Sequence, residues 1–418
     1  MKIKSIERFL LDVPFHDVPQ RNMERNHNGT HICEICRVET DDGITGIGET
    51  LPHYTFARVT DAAVERARGA NPFDLMWDDS LGAGLQMALF DVAGKAAGVP
   101  VHRLLGHALR ERCPISYWSI DMSPDDIATE ARDAVALGYR SHKQKPRPWF
   151  DVYQQAKASC DAVPSDFKLD FDFNEMLVTA ATAIPVLKRL EACPNMAIFE
   201  SPILHGDYEG YRRVRAASRC AIAVHYGNPD VNASLREEVC DGYVVGGGPC
   251  AIVRAAGLAE RTHKLFWLQM VGTGITTTMA LHLGAVCRQA QWPAVTFMNM
   301  YVDSLVNEPI PIVDGTACVP QRPGLGITFN EASLKWRVET DQKPNADAIY
   351  AIARENGSRT WYAGEYGLRG YWNECRAGNE ALDEGGVHLE RWDNDGSKQW
   401  RELAQRAEIA PVKEGRTV

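Results

Sequence analysis

The chain has 418 residues, more than one typical domain, which predicts two globular units with possible extra pieces. A composition of 45% hydrophobic and 24% charged residues is that of an ordinary water-soluble protein. A net charge of -10 makes nucleic acid and anionic membrane surfaces poor general partners.

No run of 18 apolar residues is present, and the basic start at Met1 leads into no apolar signal core. We therefore expect a cytoplasmic protein without a membrane span. Eleven cysteines lie scattered from Cys33 to Cys375, without the dense spacing of a secreted disulfide scaffold, so free thiols are expected. Cys33 and Cys36 have CxxC spacing, but three residues apart on a predicted strand they face opposite sides, which disfavours a zinc or redox role.

The amino-terminal part predicts strands at Ile3–Val13, His31–Thr40 and Ile44–Glu49, followed by helices from about Asp61 to Leu105. After Cys113 strands alternate with helices, the pattern of parallel βαβ units. Eight such units in roughly 200 residues fit a closed (β/α)₈ barrel better than an open sheet. The predicted strands are Pro114–Ser119, Arg140–Lys145, Phe167–Asp172, Ala197–Glu200, Ala221–His225, Gly242–Val245, Leu265–Val271 and Val295–Met300.

The last segment, residues 346–418, is rich in tryptophan and tyrosine. That aromatic density argues against a disordered tail. We expect this segment to pack on the body of the protein or on a neighbouring subunit.

Four predicted strands end in residues capable of chemistry, and in a barrel such ends meet at one mouth. Asp172, Glu200 and His225 follow one another at intervals of 28 and 25 residues, each about one βα repeat. Two carboxylates and an imidazole that converge on one point favour a divalent cation between them.

Lys143 and Lys145 are two residues apart on one predicted strand, so both face the same side, beside this metal site. A lysine near a cation and a second ammonium has its neutral form favoured, as a general base requires. A metal that binds a substrate carboxylate stabilises the enediolate left when the base removes the α-proton.

Each feature also has a plainer structural interpretation. A carboxylate at a strand end is commonly a helix cap or surface charge, a single histidine in a turn is commonly structural, and a Lys-x-Lys pair is commonly a solvated face. Their joint position at the ends of adjacent predicted strands strengthens the functional interpretation, and from the residues alone both interpretations stay open.

The order and spacing of several short motifs over residues 1–335 resemble the enolase superfamily, in particular its mandelate racemase and muconate lactonizing enzyme branches. These motifs are Val38-Glu39-Thr40-Asp41-Asp42-Gly43 with Gly46-Ile47-Gly48-Glu49, Ala88-Leu89-Phe90-Asp91-Val92-Ala93-Gly94-Lys95 with Leu104-Leu105-Gly106, Lys143-Gln144-Lys145, Asp172-Phe173-Asn174, Phe199-Glu200-Ser201-Pro202, Gly247-Gly248, and Val319-Pro320 with Pro323-Gly324-Leu325-Gly326.

The resemblance implies an α+β capping domain from residues 1–112 and 319–345, a barrel over 113–318, and an added carboxyl-terminal extension over 346–418. It also implies Mg²⁺ on Asp172, Glu200 and His225, with Lys145 as the base and Lys143 beside it. Cap residues near His16 to His31 and His53-Tyr54 would select the substrate. Candidate substrate contacts are His27, His31, His53, Asn174 and Gln269.

Three positions depart from the family pattern. The third ligand is normally Glu or Asp, and His225 there would leave the metal a stronger Lewis acid and widen the choice to Mn²⁺, Fe²⁺ or Zn²⁺. Gly246 replaces the lysine that muconate-type enzymes carry after strand 6. Gln269 replaces the histidine that mandelate-type enzymes carry at strand 7.

With no base visible on the second face, dehydration of a sugar acid or related hydroxy acid to a 2-keto acid is the favoured prediction. The departing hydroxyl would be assisted by the metal, a protonated lysine or a cap histidine. A cycloisomerase or epimerase of the same superfamily and a non-catalytic binding protein on the same fold are the alternatives. We expect a small carboxylate as substrate, no nucleic-acid or membrane partner, and a homo-oligomer.

Overall fold

Three β-sheets organise the described residues of the computed structural model, which are 1–25, 31–54, 58–341, 347–363, 367–380 and 385–415. The first sheet is antiparallel and lies in the amino-terminal part. The second is a ring of parallel strands, and the third is antiparallel and lies near the carboxyl terminus. None of the helices in these ranges combines the length and the apolar character needed to cross a bilayer.

The strands of the amino-terminal sheet pair antiparallel with their neighbours, and helices pack against the sheet. Its elements are β1 Ile3–Asp12, α1 Asp17–Met23, β2 Ile32–Thr40, β3 Thr45–Thr50, α2 Asp61–Ala67, α3 Pro72–Leu75, α4 Ala83–Ala97 and α5 Val101–Leu105. The sheet order places β1 between β2 and a short strand at Arg337–Val338, so the chain returns to this sheet after the barrel.

Helix α4 lies directly against strand β3, and two glycines make this close approach possible. A Cβ atom at Gly46 would collide with the backbone of Ala88, and one at Gly48 with the backbone of Gly84. The Gly-x-Gly spacing of this strand therefore reflects helix packing.

The parallel ring is a closed barrel of eight strands in the described residues. The strands are β4 Arg112–Trp118, β5 Ser141–Gln144, β6 Lys168–Asp172, β7 Met196–Glu200, β8 Ala221–His225, β9 Gly242–Val245, β10 Leu265–Leu268 and β11 Ala294–Val295. Each pairs with the next from β4 to β10, β11 pairs with β4, and a bridge between Gln269 and Val295 completes the ring.

Helices connect the barrel strands and cover the outside of the ring. They are α6 Pro124–Ala136, α7 Val152–Ala162, α8 Ala180–Leu190, α9 Tyr208–Ala217, α10 Val231–Arg236, α11 Pro249–Arg261 and α12 Gly274–Val286. Helix α6 begins with a capped first turn: the Ser123 side chain accepts a hydrogen bond from the Asp126 amide, and Pro124 is the first helical residue.

Two sequence expectations are wrong in detail. The eighth barrel strand ends at Val295, because Phe297 is left-handed (φ 68°) and Met298–Met300 form a 3₁₀ turn. The expectation of free thiols fails at Cys160 and Cys193, which form a disulfide. The fold brings their Cα atoms to 6.3 Å although 33 residues separate them, a proximity that spacing alone does not reveal.

The remaining elements follow the barrel. They are β12 Ile312–Val313, β13 Thr316–Cys318, β14 Arg337–Val338, β15 Ala348–Arg354, β16 Arg359–Tyr362, α13 Gly367–Ala377, β17 Val387–Asp393, α14 Lys398–Ile409 and β18 Val412–Glu414. We call residues 348–415, as far as they are described, the carboxyl-terminal unit. The domain boundaries at 112, 318 and 345 stay predictions.

The carboxyl-terminal unit has three layers. Its antiparallel sheet, in the order β17-β15-β16-β18, buries alternate residues on opposite faces. Ile349, Ala351 and Trp361 pack on α14, whereas the next residues along each strand face α13 and the barrel. The second face buries Trp149, Phe150 and Met176, which belong to barrel loops. The unit therefore packs on the loops after β5 and β6.

Candidate active site

The two lysines of the Lys-x-Lys motif lie at the carboxyl end of β5. Lys143 belongs to the strand and Lys145 follows its last residue, and both are buried, with 1% and 7% of their surface exposed. The alternation of a strand directs both side chains to one side. Burial of two ammonium groups requires anionic partners nearby.

Asp172 and Glu200 provide those partners. Each is the last residue of its strand, and the two are paired neighbours in the register of β6 and β7. Lys143 Nζ lies 2.5 Å from Glu200 Oε2 and 3.5 Å from Asp172 Oδ2. Lys145 Nζ contacts the same Asp172 oxygen. Four charged side chains thus form one buried cluster at the mouth of the barrel.

Both amide side chains that the sequence nominated contact this cluster. Gln269, directly after β10, accepts a hydrogen bond from Lys143 Nζ at 2.8 Å. Asn174 accepts one from Lys145 Nζ at 3.0 Å. Both residues lie beside the charged cluster, and their contact with substrate stays a prediction.

His225 ends β8 and joins the cluster through Glu200, with 3.1 Å between its Nε2 and Glu200 Oε1. In the register Glu200 pairs with Ala223, so His225 extends two residues beyond that pairing. Its side chain is 39% exposed, whereas Asp172 and Glu200 are buried. His225 therefore lies at the solvent side of the cluster.

As these side chains stand, no three His, Cys, Asp or Glu groups in the described residues are arranged tightly enough to bind one ion. The Lys143 ammonium lies between Asp172 and Glu200 instead. Both Glu200 oxygens are buried, and in the described part of the chain their close contacts with Lys143 and His225 lack hydrogen-bond geometry. The carboxylates already converge on one positive charge and retain unused acceptor capacity, so the donor set fits a divalent cation.

The charges in the cluster shift its ionisation. Burial raises the pKa of Asp172, but the charges of Lys145 and Lys143 outweigh that effect and hold its pKa well below the usual range. Burial lowers the pKa of Lys145, and the charge of Lys143 lowers it further, against the opposing effect of Asp172. The lowered pKa of Lys145 favours the neutral amine that a base requires, and the lowered pKa of Asp172 favours its ionised carboxylate.

Sequence analysis missed two charged residues of this site. Arg147 is buried and donates from Nη2 to Asn174 Oδ1 at 2.6 Å, so it shares that acceptor with Lys145. Asp170 is buried beneath Asp172, and burial raises its pKa to about 7. Both residues lie at the same two-residue spacing that identified the lysines. Arg147 is two residues after Lys145, and Asp170 is two residues before Asp172, so the spacing could have revealed Arg147 and Asp170.

The histidines that the sequence nominated in the cap lie in other contacts. His31 packs against Phe15 and pairs with Asp12 at 3.3 Å. His53 is exposed, with its Nε2 at 2.6 Å from the Asp341 carbonyl oxygen. Their role as substrate contacts stays a prediction, and His27 falls outside the described residues.

Tyr54 is the cap residue with the clearest electrostatic connection to the site. Burial raises its pKa, and the negative charges of Asp172 and Glu200 raise it further. Its ring packs edge-on against Phe297, with 4.9 Å between the ring centres. The cap and the barrel mouth therefore meet at this side chain.

The backbone is strained within two residues after Asp172 and directly after Glu200. Asn174 and Ser201 have φ angles of 46° and 45° without being glycine. Non-glycine residues in this left-handed region persist where surrounding contacts hold them, and such positions cluster at functional sites. The turns after β6 and β7 thus direct the chain sharply away from the charged cluster.

Comparison with known proteins gives the class. Residues 126–333 match the family model described as enolase C-terminal domain-like. The muconate lactonizing enzyme of Pseudomonas fluorescens, solved in complex with muconolactone, superimposes with a TM-score of 0.66 at 23% identity, over 81% of this chain and 99% of that one. The N-succinyl Arg/Lys racemase of Bacillus cereus ATCC 14579 gives a TM-score of 0.65 at 21% identity, over 81% and 98%.

The chain belongs to the enolase superfamily, and the predicted capped barrel is confirmed. Members of this superfamily use a divalent metal and act on small carboxylates. Among curated relatives, the D-galactonate dehydratase of Xanthomonas campestris pv. campestris (strain B100) is 28% identical over 346 residues, which are 72% of this chain and 89% of the relative. The D-gluconate dehydratase of Thermoproteus tenax is 26% identical over 375 residues, 77% and 73% of the two chains.

Proposed function

We propose that this protein is a hydro-lyase that converts a sugar acid, or a related hydroxy acid, to a 2-keto acid. The observation that carries the proposal is the buried cluster in which Lys145 contacts Asp172 while Lys143 contacts Asp172 and Glu200. The two dehydratase relatives act on D-galactonate and D-gluconate by their names, and this supports the reaction class.

Lys145 is the base in this proposal. It takes the proton from the carbon next to the substrate carboxylate, and the hydroxyl on the following carbon leaves as water with a proton from a protonated lysine. The resulting enol becomes the 2-keto acid. Asn174 and Gln269 hold the side-chain nitrogens of Lys145 and Lys143 in position through the hydrogen bonds at 3.0 and 2.8 Å.

A divalent cation on Asp172, Glu200 and His225 would supply positive charge beside the substrate carboxylate and stabilise the negative charge that develops there. We propose Mg²⁺, with Mn²⁺, Fe²⁺ or Zn²⁺ made possible by the imidazole of His225.

His225 offers a direct test of this ligand set. His225→Glu restores the usual carboxylate and is expected to strengthen Mg²⁺ binding, while His225→Ala weakens binding of every divalent metal. Isothermal titration of each variant with Mg²⁺ and Mn²⁺ measures this. Equal affinities in the parent and both variants would show that His225 is not a ligand.

Dehydration is favoured over two-base chemistry by what the other strand ends carry. Gly246 follows β9 and has no side chain, and Gln269 follows β10 with an amide that cannot act as a base at neutral pH. Racemisation or epimerisation requires a second group on the opposite face of the substrate, and these two positions do not supply it.

The decisive experiment is a screen of sugar acids for 2-keto product with Mg²⁺ or Mn²⁺ present. Reactions in deuterium oxide, followed by mass spectrometry, separate the candidates: a dehydratase loses water, whereas an epimerase or cycloisomerase exchanges the α-hydrogen without losing water. A protein that binds neither metal in the same preparations would be a non-catalytic relative on this fold.

We further propose a homo-oligomer, as the family resemblance suggests, and a location in the cytoplasm. Light scattering of the purified full chain measures its mass, for which one subunit is 46.4 kDa.

A further inference from the structure

A buried ion pair connects the cap to the barrel next to the charged cluster. Arg25 follows helix α1 and donates from Nη2 to Asp121 Oδ2 at 3.0 Å. Asp121 lies just beyond the first barrel strand, β4. The side chains are 7% and 0% exposed, so both charges have been withdrawn from water. Such a pair is costly to form and strongly constrains the position of both partners.

Asp121 also holds the loop that follows the second barrel strand. The same oxygen, Oδ2, accepts a hydrogen bond from Trp149 Nε1 at 2.8 Å. The charges of Arg25 and Arg147 keep the pKa of Asp121 below its usual value despite burial, so the carboxylate is ionised. One carboxylate therefore joins a cap segment to a barrel loop.

That loop leads directly to the proposed base. Arg147 lies two residues after Lys145 and donates to the Asp172 carbonyl oxygen at 3.0 Å and to Asn174 Oδ1. Asn174 in turn accepts from Lys145. A displacement of the loop at Trp149 would thus move the groups that orient Lys145.

The carboxyl-terminal unit supports the loop from its other side. Trp149 and Phe150 are buried against the face of its sheet that carries Tyr350 and Ile352. The Gly386 amide donates to Asp151 at 2.8 Å, and the guanidinium of Arg25 stacks over Phe150 at 5.5 Å. The match to each of the two structural neighbours named above covers 81% of this chain and nearly the whole length of the neighbour. About a fifth of the chain therefore has no counterpart in them, a share similar in size to this unit.

We infer that Asp121 is a positioning residue for the substrate site, which holds Arg25 of the cap and Trp149 of the β5 loop in a fixed relation to Lys145. It acts through these partners and does not take part in proton transfer. The kinetic part of this inference rests on the proposed function. The connection between the cap and the loop does not, because it can be measured without substrate.

The chain provides a matched control. Arg21 also lies on α1 and also pairs with a barrel carboxylate, Asp126, but its side chain is 53% exposed. Exposed pairs contribute little, since water and salt screen both charges. Arg21→Gln therefore removes a cap-to-barrel ion pair of the same kind without disturbing Asp121.

The first measurement is the rate of trypsin cleavage after residue 25 in the full chain. Asp121→Asn and Arg25→Lys are both expected to be cleaved faster than the parent protein, because each loses part of the buried pair while keeping a trypsin site. Arg21→Gln is expected to be cleaved at residue 25 at the parental rate. Arg25→Lys still decides the matter if Asp121→Asn does not fold.

The second measurement is steady-state kinetics on the sugar acid that the protein dehydrates. Asp121→Asn and Arg25→Lys are expected to lose about ten- to a hundred-fold in kcat/KM, mainly through kcat, because the loop that carries Arg147 no longer holds the groups that orient Lys145. The kinetic control is Arg288→Gln, which removes an exposed ion pair with Glu260 outside the cap and is expected to match the parent. Unchanged cleavage overturns the connection, and faster cleavage with an unchanged kcat overturns its role in positioning. If no acid is dehydrated, the proposed function fails while the cleavage result still stands.

Discussion

Lys143 and Lys145 reach the same buried cluster because they are two residues apart. On a strand, every second side chain points to the same side. Their charges are tolerated in the interior only because Asp172 and Glu200 lie within ion-pair distance. At the scale of single residues, the site is thus a balance of burial and charge: the two ammonium groups lower the pKa of Asp172, and burial lowers the pKa of Lys145.

The role of Lys145 is tested by Lys145→Ala. Turnover is expected to fall by about a thousand-fold or more, since the variant lacks the group that takes the proton, while bound metal stays unchanged because the ligands remain. Kinetics together with metal analysis of the purified protein measure both quantities. Lys157→Ala serves as the control, because Lys157 is exposed and pairs with Asp161 on the surface of its own helix. Persisting activity in Lys145→Ala would show that another residue is the base.

His142 makes a second residue-level prediction, on stability. Burial lowers its pKa to about 3 from an ordinary 6.5, so the folded protein holds the neutral ring while the unfolded chain binds a proton below pH 6.5. Its contribution is complete above pH 6.5 and declines as the pH falls towards 3.

A His142→Gln variant loses this pH-dependent part. Its deficit in free energy of unfolding relative to the parent is expected to be smaller at pH 5 than at pH 7.5, as measured by urea denaturation at both values. Comparison with the parent is needed because burial also raises the pKa of Glu130 to about 7, which acts in the opposite direction over the same range. A deficit that is equal at both pH values would contradict the assignment.

At the scale of elements, the cap is tied to the barrel at the start of helix α12. Glu49, near the end of β3, is fully buried and accepts hydrogen bonds from the amides and hydroxyls of Thr273 and Thr276, at 2.6 to 3.2 Å. The amide groups at a helix start carry partial positive charge and favour a carboxylate. This contact explains why a glutamate ends the Gly-x-Gly-Glu motif.

Glu49→Ala is expected to lower the free energy of unfolding by about 3 kcal/mol or more, since four donors would be left buried without an acceptor. Equilibrium denaturation measures the loss. Glu39→Ala is the control from the same sheet: Glu39 pairs with Lys4 at the surface, and its removal is expected to have no measurable effect. Similar losses in both variants would mean that the contact with α12 contributes no more than a surface ion pair.

At the scale of the whole molecule, the carboxyl-terminal unit and the barrel share one buried cluster. Phe150, from the loop after β5, is 6% exposed within this cluster, together with aromatic residues of β15, β16 and α13. The unit depends on the barrel for part of its apolar burial, and this predicts that the two are coupled in stability.

Phe150→Ala is expected to cost about 3 to 5 kcal/mol and to speed amide hydrogen exchange in β15 and β16, which lie more than 190 residues away in sequence. Phe73→Ala, at a position that is 38% exposed, is the control and is expected to change neither. Unchanged exchange in β15 and β16 would show that the carboxyl-terminal unit is stable without this contact.

The sequence by itself determined the periodic features of this protein. Strand and helix periodicity located the barrel, and spacing of one βα repeat identified Asp172 and Glu200, which the structure joins through Lys143. The two-residue repeat also contained the signal for Arg147 and Asp170. These features are readable because they depend on local geometry, which recurs along the chain.

Only the tertiary structure decided what joins distant segments. Three contacts connect residues whose separation in sequence follows no regular repeat. They are the Cys160–Cys193 disulfide, the contact of Arg25 with Asp121, and the packing of Phe150 against the carboxyl-terminal sheet. The eighth strand ends early because Phe297 adopts a left-handed backbone conformation, which a phenylalanine at that position does not predict. Contacts of this kind depend on how complete elements pack, and packing is a property of the folded chain as a whole.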